Sequence, residues 1–128
     1  MPTKASDKAG AFDIYMPEAG IAGGNNQFFG LGFATAIPQG FVGLLLPRSG
    51  TGAKHGLELN NTCGVIDADY RGEWKAALKT KSGIPFSWEA GERILQFMIV
   101  PIAQVELQLV DSLEETVRGT GGFGSTGK

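Results

Sequence analysis

Apolar and polar residues alternate in short runs along this chain, and no stretch carries the 3.6-residue period of a long helix. Residues 12–16 (FDIYM) alternate as a half-buried strand does, and residues 27–29 offer a further short strand inside the turn-rich stretch GIAGGNNQFFGLG. Residues 33–37 (FATAI) and 41–46 (FVGLLL) read as two strands joined by the Pro38-Gln39-Gly40 turn signal. Residues 47–56 (PRSGTGAKHG) read as a polar glycine loop. Residues 57–59 (LEL) then lead into a hairpin candidate over residues 60–74 (NNTCGVIDADYRGEW). Residues 75–80 (KAALKT) have helical propensity, but turn signals bound so short a run, and strand is the expectation. Residues 92–102 (ERILQFMIVPI) and 104–110 (QVELQLV) are two more β runs, the second strictly alternating, and residues 112–116 (SLEET) suit one helical turn. The pattern predicts an all-β chain, a jelly-roll-like β barrel with a loose glycine tail.

Composition sharpens this picture without changing it. A chain of 128 residues is one domain by size and can bury a modest core. Glycine accounts for 20 of the 128 residues, about twice the usual ~7%, which suits many tight turns between short strands. The net charge of −2 supplies no global field for nucleic acid or anionic lipid, so a polyanionic ligand needs a local cluster of donors. Cys63 is the one cysteine and cannot form an internal disulfide. No apolar run approaches the ~20 residues of a membrane span, and the start MPTKASDKAG lacks the apolar core of a secretory signal. The expectation is a cytoplasmic protein with neither membrane nor direct nucleic-acid binding.

The last eleven residues, RGTGGFGSTGK, contain two overlapping phosphate-loop patterns. Gly119, Gly121 and Gly124 satisfy GxGxxG, while Gly122, Gly127 and Lys128 satisfy GxxxxGK. Both patterns work at a strand-to-helix turn, and this tail has no following helix in the sequence. What remains is a nest of backbone N–H groups, the hydroxyls of Ser125 and Thr126, the forked cation of Arg118 and a lone aromatic, Phe123, able to lie on a base. Taken alone, the segment reads as a frayed terminus.

Three further stretches offer donors or acids. In PRSG (residues 47–50), Pro47 stops a strand, and Arg48, Ser49 and Gly50 form a second donor set of triphosphate size, or a loop with one surface arginine. In residues 60–73, Val65 and Ile66 lead to Asp67, Asp69 and Tyr70 at a turn. A carboxylate there can orient and deprotonate a water, a tyrosine ring can pack on a sugar, and Asn61 can match a base edge. Ordinary acidic turn composition is the competing reading. In GERILQF (residues 91–97), Gln96 can donate to a phosphate, and Arg93 reads as a structural partner for a nearby carboxylate. His55 reads as a loop residue and Cys63 as a packed thiol.

Taken in order, AGAFDIY, PRSG, NTCGVIDADYRGE, GERILQF and RGTGGFGSTG resemble the five motifs of the homotrimeric dUTPases, over most of the chain. The resemblance implies hydrolysis of dUTP to dUMP and pyrophosphate, a homotrimer whose sites draw on several chains, and Mg²⁺ as cofactor. It implies a body over residues 1–117 and a mobile lid over residues 118–128. By position, Asp67 matches the water-directing acid, Tyr70 the ring on deoxyribose, and Asn61 with the backbone of Val65 and Ile66 the uracil-reading hairpin. Arg48, Ser49, Gly50 and Gln96 match phosphate ligands, and Lys75 falls where some relatives touch substrate. Arg118, Phe123, Gly124, Ser125 and Thr126 match the lid, and Asp13 the acid that meets magnesium through water. Ala11 stands where the first motif usually has glycine. Two rival readings share the fold: a dCTP deaminase-like enzyme, which needs a further proton-shuttling carboxylate, and a non-catalytic nucleotide-binding β trimer.

Overall fold

The computed structural model describes residues 1–127. Among the described residues, nine strands form three antiparallel sheets, with one short helix between two of the strands. In chain order the strands are β1 (Phe12–Tyr15), β2 (Gly20–Ala22), β3 (Gln27–Gly30), β4 (Phe41–Pro47), β5 (Leu57–Leu59), β6 (Gly64–Ile66), β7 (Lys75–Thr80), β8 (Phe86–Trp88) and β9 (Arg93–Pro101); the helix α1 (Ser49–His55) lies between β4 and β5. The main sheet runs β1-β9-β4-β6, a second runs β3-β7-β5, and β2 pairs with β8. The body is the jelly-roll-like β fold that the alternation predicts.

Alternation explains which faces turn inward. On β7, Ala76, Leu78 and Thr80 are buried and their neighbours are less so, which is the two-residue period of a one-sided strand. Ile14, Leu45, Leu57, Leu78 and Leu95 join the fully enclosed Trp74 in one core. Phe33 and Phe97 pack on that indole with ring centroids 5.1 and 5.0 Å away. The indole N–H donates to Thr35 Oγ1 at 3.0 Å, so the ring is buried with its polar atom satisfied.

Four expectations need correction. Residues 47–56 are not all loop, because Ser49–His55 form α1. No side chain of this helix is buried, so it carries no apolar stripe to read. It is held at its ends: Thr51 Oγ1 donates to the carbonyls of Arg48 (3.0 Å) and Ile94 (2.8 Å), and Gly56 ends it at φ 64°. Residues 33–37 form no ladder; Trp74 N–H donates to Phe33 O at 2.9 Å, Arg71 donates to Thr35 O, and Ile37 is buried in the core. No hairpin forms over residues 60–74: β6 bonds to β4 and β7 to β3 and β5, while β5 and β6 are joined by a tight turn without pairing. The 60–63 turn is a crossover between sheets, with Thr62 at φ 69°.

The last correction concerns the C-terminal run. Residues 104–110 form no strand, and residues 112–116 form no helical turn. The final bond tying this end to the body is Ile102 N–H to Gly40 O, 2.9 Å. Beyond it Val105, Leu107, Leu109 and Val117 all face solvent. An alternating run signals a face that wants covering, and the body of its own chain does not cover this one.

Candidate functional site

Three stretches far apart in sequence become neighbours through the register of the main sheet. Asp13 on β1 lies opposite Gln96 on β9, and Gln96 lies opposite Leu46 on β4, so the end of β4 delivers Arg48 to the same place. Phe12 and Ile14, one residue to either side of Asp13, point to the other face, where an apolar hollow of about 640 Å³ contains both. Asp13 instead faces a polar cleft of about 340 Å³ shared with Gly10, Ala11, Arg48, Ser49 and Gln96. Ala11, the departure from the first motif, therefore lines this cleft.

The acid at its floor is the most constrained polar group of the site. The Asp13 side chain is only 8% exposed, and each of its oxygens meets a different arginine: Oδ1 lies 3.0 Å from Arg48 Nε and Oδ2 lies 3.2 Å from Arg93 Nη1. Arg48 also donates through Nη1 to the Arg93 carbonyl at 3.1 Å. One negative charge between two guanidinium groups leaves the Asp13–Arg48–Arg93 cluster net positive by one and fixes the plane of Arg48. The expected pairing of Arg93 with a nearby carboxylate is present. The Gln96 amide donates one N–H to Pro47 O at 3.1 Å, and such an amide carries a second donor. Ser49 and Gly50 open α1 at the rim, both exposed.

A second hollow, of about 350 Å³, lies beside the 60–63 turn and includes Asn61, Gly64 and Lys75. Asn61 Nδ2 donates to Cys63 O at 3.3 Å. Val65 and Ile66 lie on β6, opposite Leu44 and Gly43, and Val65 is exposed. Asp67 follows directly and is exposed; its carbonyl accepts the Tyr70 N–H at 3.2 Å, which closes the turn. Among the described residues Asp67 makes no ion pair. The Tyr70 phenol donates to Glu73 O at 2.8 Å, and Arg71 Nη1 donates to Ala68 O at 2.6 Å.

The tail stands apart. Arg118 Nε donates to Gly121 O at 2.8 Å, Ser125 N–H to Gly122 O at 3.1 Å and Gly127 N–H to Gly124 O at 2.9 Å, a string of tight turns. Phe123 is fully exposed at φ 47°, followed by Gly124 at φ 86°. Thus the fold of one chain joins Asp13, Arg48, Ser49 and Gln96 in a cleft and Asn61 with Lys75 in a hollow. Arg118, Phe123, Gly124, Ser125 and Thr126 are exposed and line neither. Lys128 lies outside the described residues. The sequence reading missed the bond from the Tyr70 phenol to Glu73 O, and the Glu73 carboxylate accepting from Gly32 N–H at 3.0 Å. Both join segments whose spacing in sequence carries no signal.

A dUTPase family model matches residues 1–127. Deoxyuridine 5'-triphosphate nucleotidohydrolase of Acinetobacter baumannii (strain ATCC 17978) is 50% identical over 88 residues, which cover 69% of this chain and 59% of the relative. The enzyme of that name from Maricaulis maris is 46% identical over 107 residues, covering 84% and 70%. The match thus spans about three-fifths of the Acinetobacter relative's length. Among solved structures, Staphylococcus bacteriophage 80alpha dUTPase with dUpNHpp superposes at TM-score 0.89 with 30% identity, covering 100% of this chain and 92% of the phage chain. Streptococcus mutans dUTPase superposes at 0.75 with 28% identity, covering 83% and 88%.

Proposed function

The chain belongs to the dUTPase family, and from that premise we propose that the whole protein hydrolyses dUTP to dUMP and pyrophosphate. The observation that carries the reading is the polar cleft, where a net-positive Asp13–Arg48–Arg93 cluster stands beside Ser49 and the spare donor of Gln96. A triphosphate needs such a set of fixed donors, because phosphoryl-type chemistry depends on positioning and charge stabilisation. Arg48, Ser49, the Gly50 backbone and Gln96 hold the phosphate chain. Asn61, with the backbone at Val65 and Ile66, reads uracil, Tyr70 lies on the deoxyribose, and Lys75 borders the pyrimidine. Asp67 orients a water and takes its proton as the oxygen attacks the α-phosphorus. The bond from that phosphorus to the bridging oxygen breaks, and pyrophosphate leaves. Arg118 and the N–H groups around Gly124 take up its charge, while Phe123 covers the base and Ser125 and Thr126 donate to phosphate oxygens.

Magnesium fits this donor set only as an ion carried on the substrate. Among the described residues no group of three His, Cys, Asp or Glu side chains comes together, and both Asp13 oxygens are engaged by arginines. A small cation that keeps several waters suits such an outer contact. Bound, it would supply charge neutralisation on the triphosphate, and Asp13 is the side chain that would help hold it, through water.

The working unit we propose is a homotrimer, with residues 1–117 as body and 118–128 as lid. The solvent-facing Val105, Leu107 and Leu109 support it, since a neighbouring subunit supplies the surface they lack. Light scattering should then report three times the chain's 13.5 kDa. No helix among the described residues is long and apolar enough to cross a membrane, and we place the enzyme in the cytoplasm. The deciding assay measures pyrophosphate release from dUTP, dTTP, dCTP and UTP, with and without Mg²⁺. Release from dUTP alone, dependent on the metal, is expected. Ammonia from dCTP, or binding of dUTP without turnover, would overturn the reading.

A further inference from the structure

We propose that Gly72 is a specificity-determining position, because its missing side chain lets the Tyr70 ring sit in the one pose that separates deoxyribose from ribose. This deepens the proposed function and rests on the reading of Tyr70 as the ring that packs on sugar. A Cβ at Gly72 would lie 2.5 Å from Tyr70 Oη, 2.7 Å from Cζ and 3.0 Å from Cε1. A rigid ring cannot yield to such an overlap as the end of a flexible side chain can. Gly72 is not one of the glycines at positive φ, so space for the ring, and not backbone freedom, is what demands glycine here.

The ring is held from its other end as well. Its phenol donates to Glu73 O at 2.8 Å, and that carbonyl belongs to a firmly fastened stretch. Glu73 Oε1 accepts from Gly32 N–H at 3.0 Å, and Trp74, fully buried, exchanges backbone bonds of 2.9 Å with Leu31 and Phe33. Arg71, donating to Ala68 O at 2.6 Å, closes the turn before the ring. The phenol is thus clamped between the backbone of residue 72 and the Glu73 carbonyl, while Tyr70 keeps 41% of its surface open to a ligand. A loose site rejects a substrate with one extra hydroxyl poorly, so a ring that discriminates on shape must not retreat.

The test measures kcat/KM for dUTP and UTP in the wild type, Gly72→Ala, Tyr70→Phe and the double variant. Gly72→Ala is expected to lower the dUTP-to-UTP ratio by roughly tenfold or more, mainly through KM. Tyr70→Phe keeps the ring and loses the bond to Glu73, so the ratio should fall less. The double variant should recover part of the loss, because the closest overlap is with the phenol oxygen. A ratio unchanged within about twofold in Gly72→Ala, or an equal fall for both substrates, overturns the proposal. If Gly72→Ala fails to fold, Tyr70→Phe decides, and an unchanged ratio there overturns it. A wild type inert toward dUTP would instead defeat the functional reading. The clamp would still be read by NMR, where unaltered Tyr70 ring resonances in Gly72→Ala would overturn it.

Discussion

In the cleft beside β1, Asp13, Arg48 and Gln96 are neighbours because three strands pair in one register, and each makes a hydrogen bond or ion pair that fixes its direction. In the tail, Arg118, Ser125 and Gly127 bond only to carbonyls three residues away among the described residues, and Phe123 touches open solvent. The first set is organised before any ligand arrives, at the expense of folding. In the proposed lid role, the second set would be organised by what it closes on, and the ordering would be drawn from binding. The difference teaches that removing a cleft residue should alter the fold and the ligand together, whereas removing the tail should alter the ligand alone.

The largest effect expected lies between the two regions. Asp67 is exposed and unpaired among the described residues, so Asp67→Asn should leave stability and nucleotide binding near normal while kcat falls by ~10²–10⁴. Single-turnover kinetics beside calorimetric titration with a non-hydrolysable dUTP analogue checks this, and near-normal kcat would remove Asp67 from its role. Deleting residues 118–128 should lower kcat/KM on the order of 10²–10³-fold with an unchanged melting temperature. A shifted melting temperature would mean that the tail supports the body and would collapse the contrast.

Asp13→Asn sharpens the comparison from the other side. It leaves Arg48 and Arg93 with half of their shared partner, and both arginines keep more than a third of their side-chain surface in water, which limits the loss. Destabilisation of about 1–3 kcal/mol is expected, read from the urea midpoint at fixed protein concentration, together with a raised KM. Phe123→Ala should be the mildest, weakening nucleotide binding by roughly tenfold with no change in the urea midpoint.

Much of this molecule was legible in its sequence where burial is local. Residues 12–16, 41–46, 75–80 and 92–102 alternate or run apolar because each strand buries a face in its own chain, and the strands formed as read. Helix α1 was not legible, because it buries nothing and is set by bonds at its ends. The separate pairing of β5 and β6 was not legible either, since a turn shows that two strands are joined but not which sheet each enters. Residues 104–110 mark the sharper limit: alternation shows that a face needs cover, without saying which surface provides it. Within the site, Arg48 and Gln96 stood out as phosphate donors in PRSG and GERILQF, and Asp13 through the family resemblance. That Arg48 and Arg93 divide one carboxylate between them is visible only in the folded chain.

The exposed run at Val105, Leu107 and Leu109 has a consequence for how the protein is made. A newly synthesised chain carries this sticky ribbon beside a body whose β1 edge is guarded only by an isolated bridge between Thr3 and Asp13. Where two such chains meet, seating on a partner as in the proposed trimer would compete with indiscriminate strand stacking. Glu106 and Asp111 are spaced along the ribbon, where like charges brought into register would oppose such stacking. Replacing those two acids with neutral residues should lower soluble yield, read from the soluble fraction on expression, before it alters the folded body.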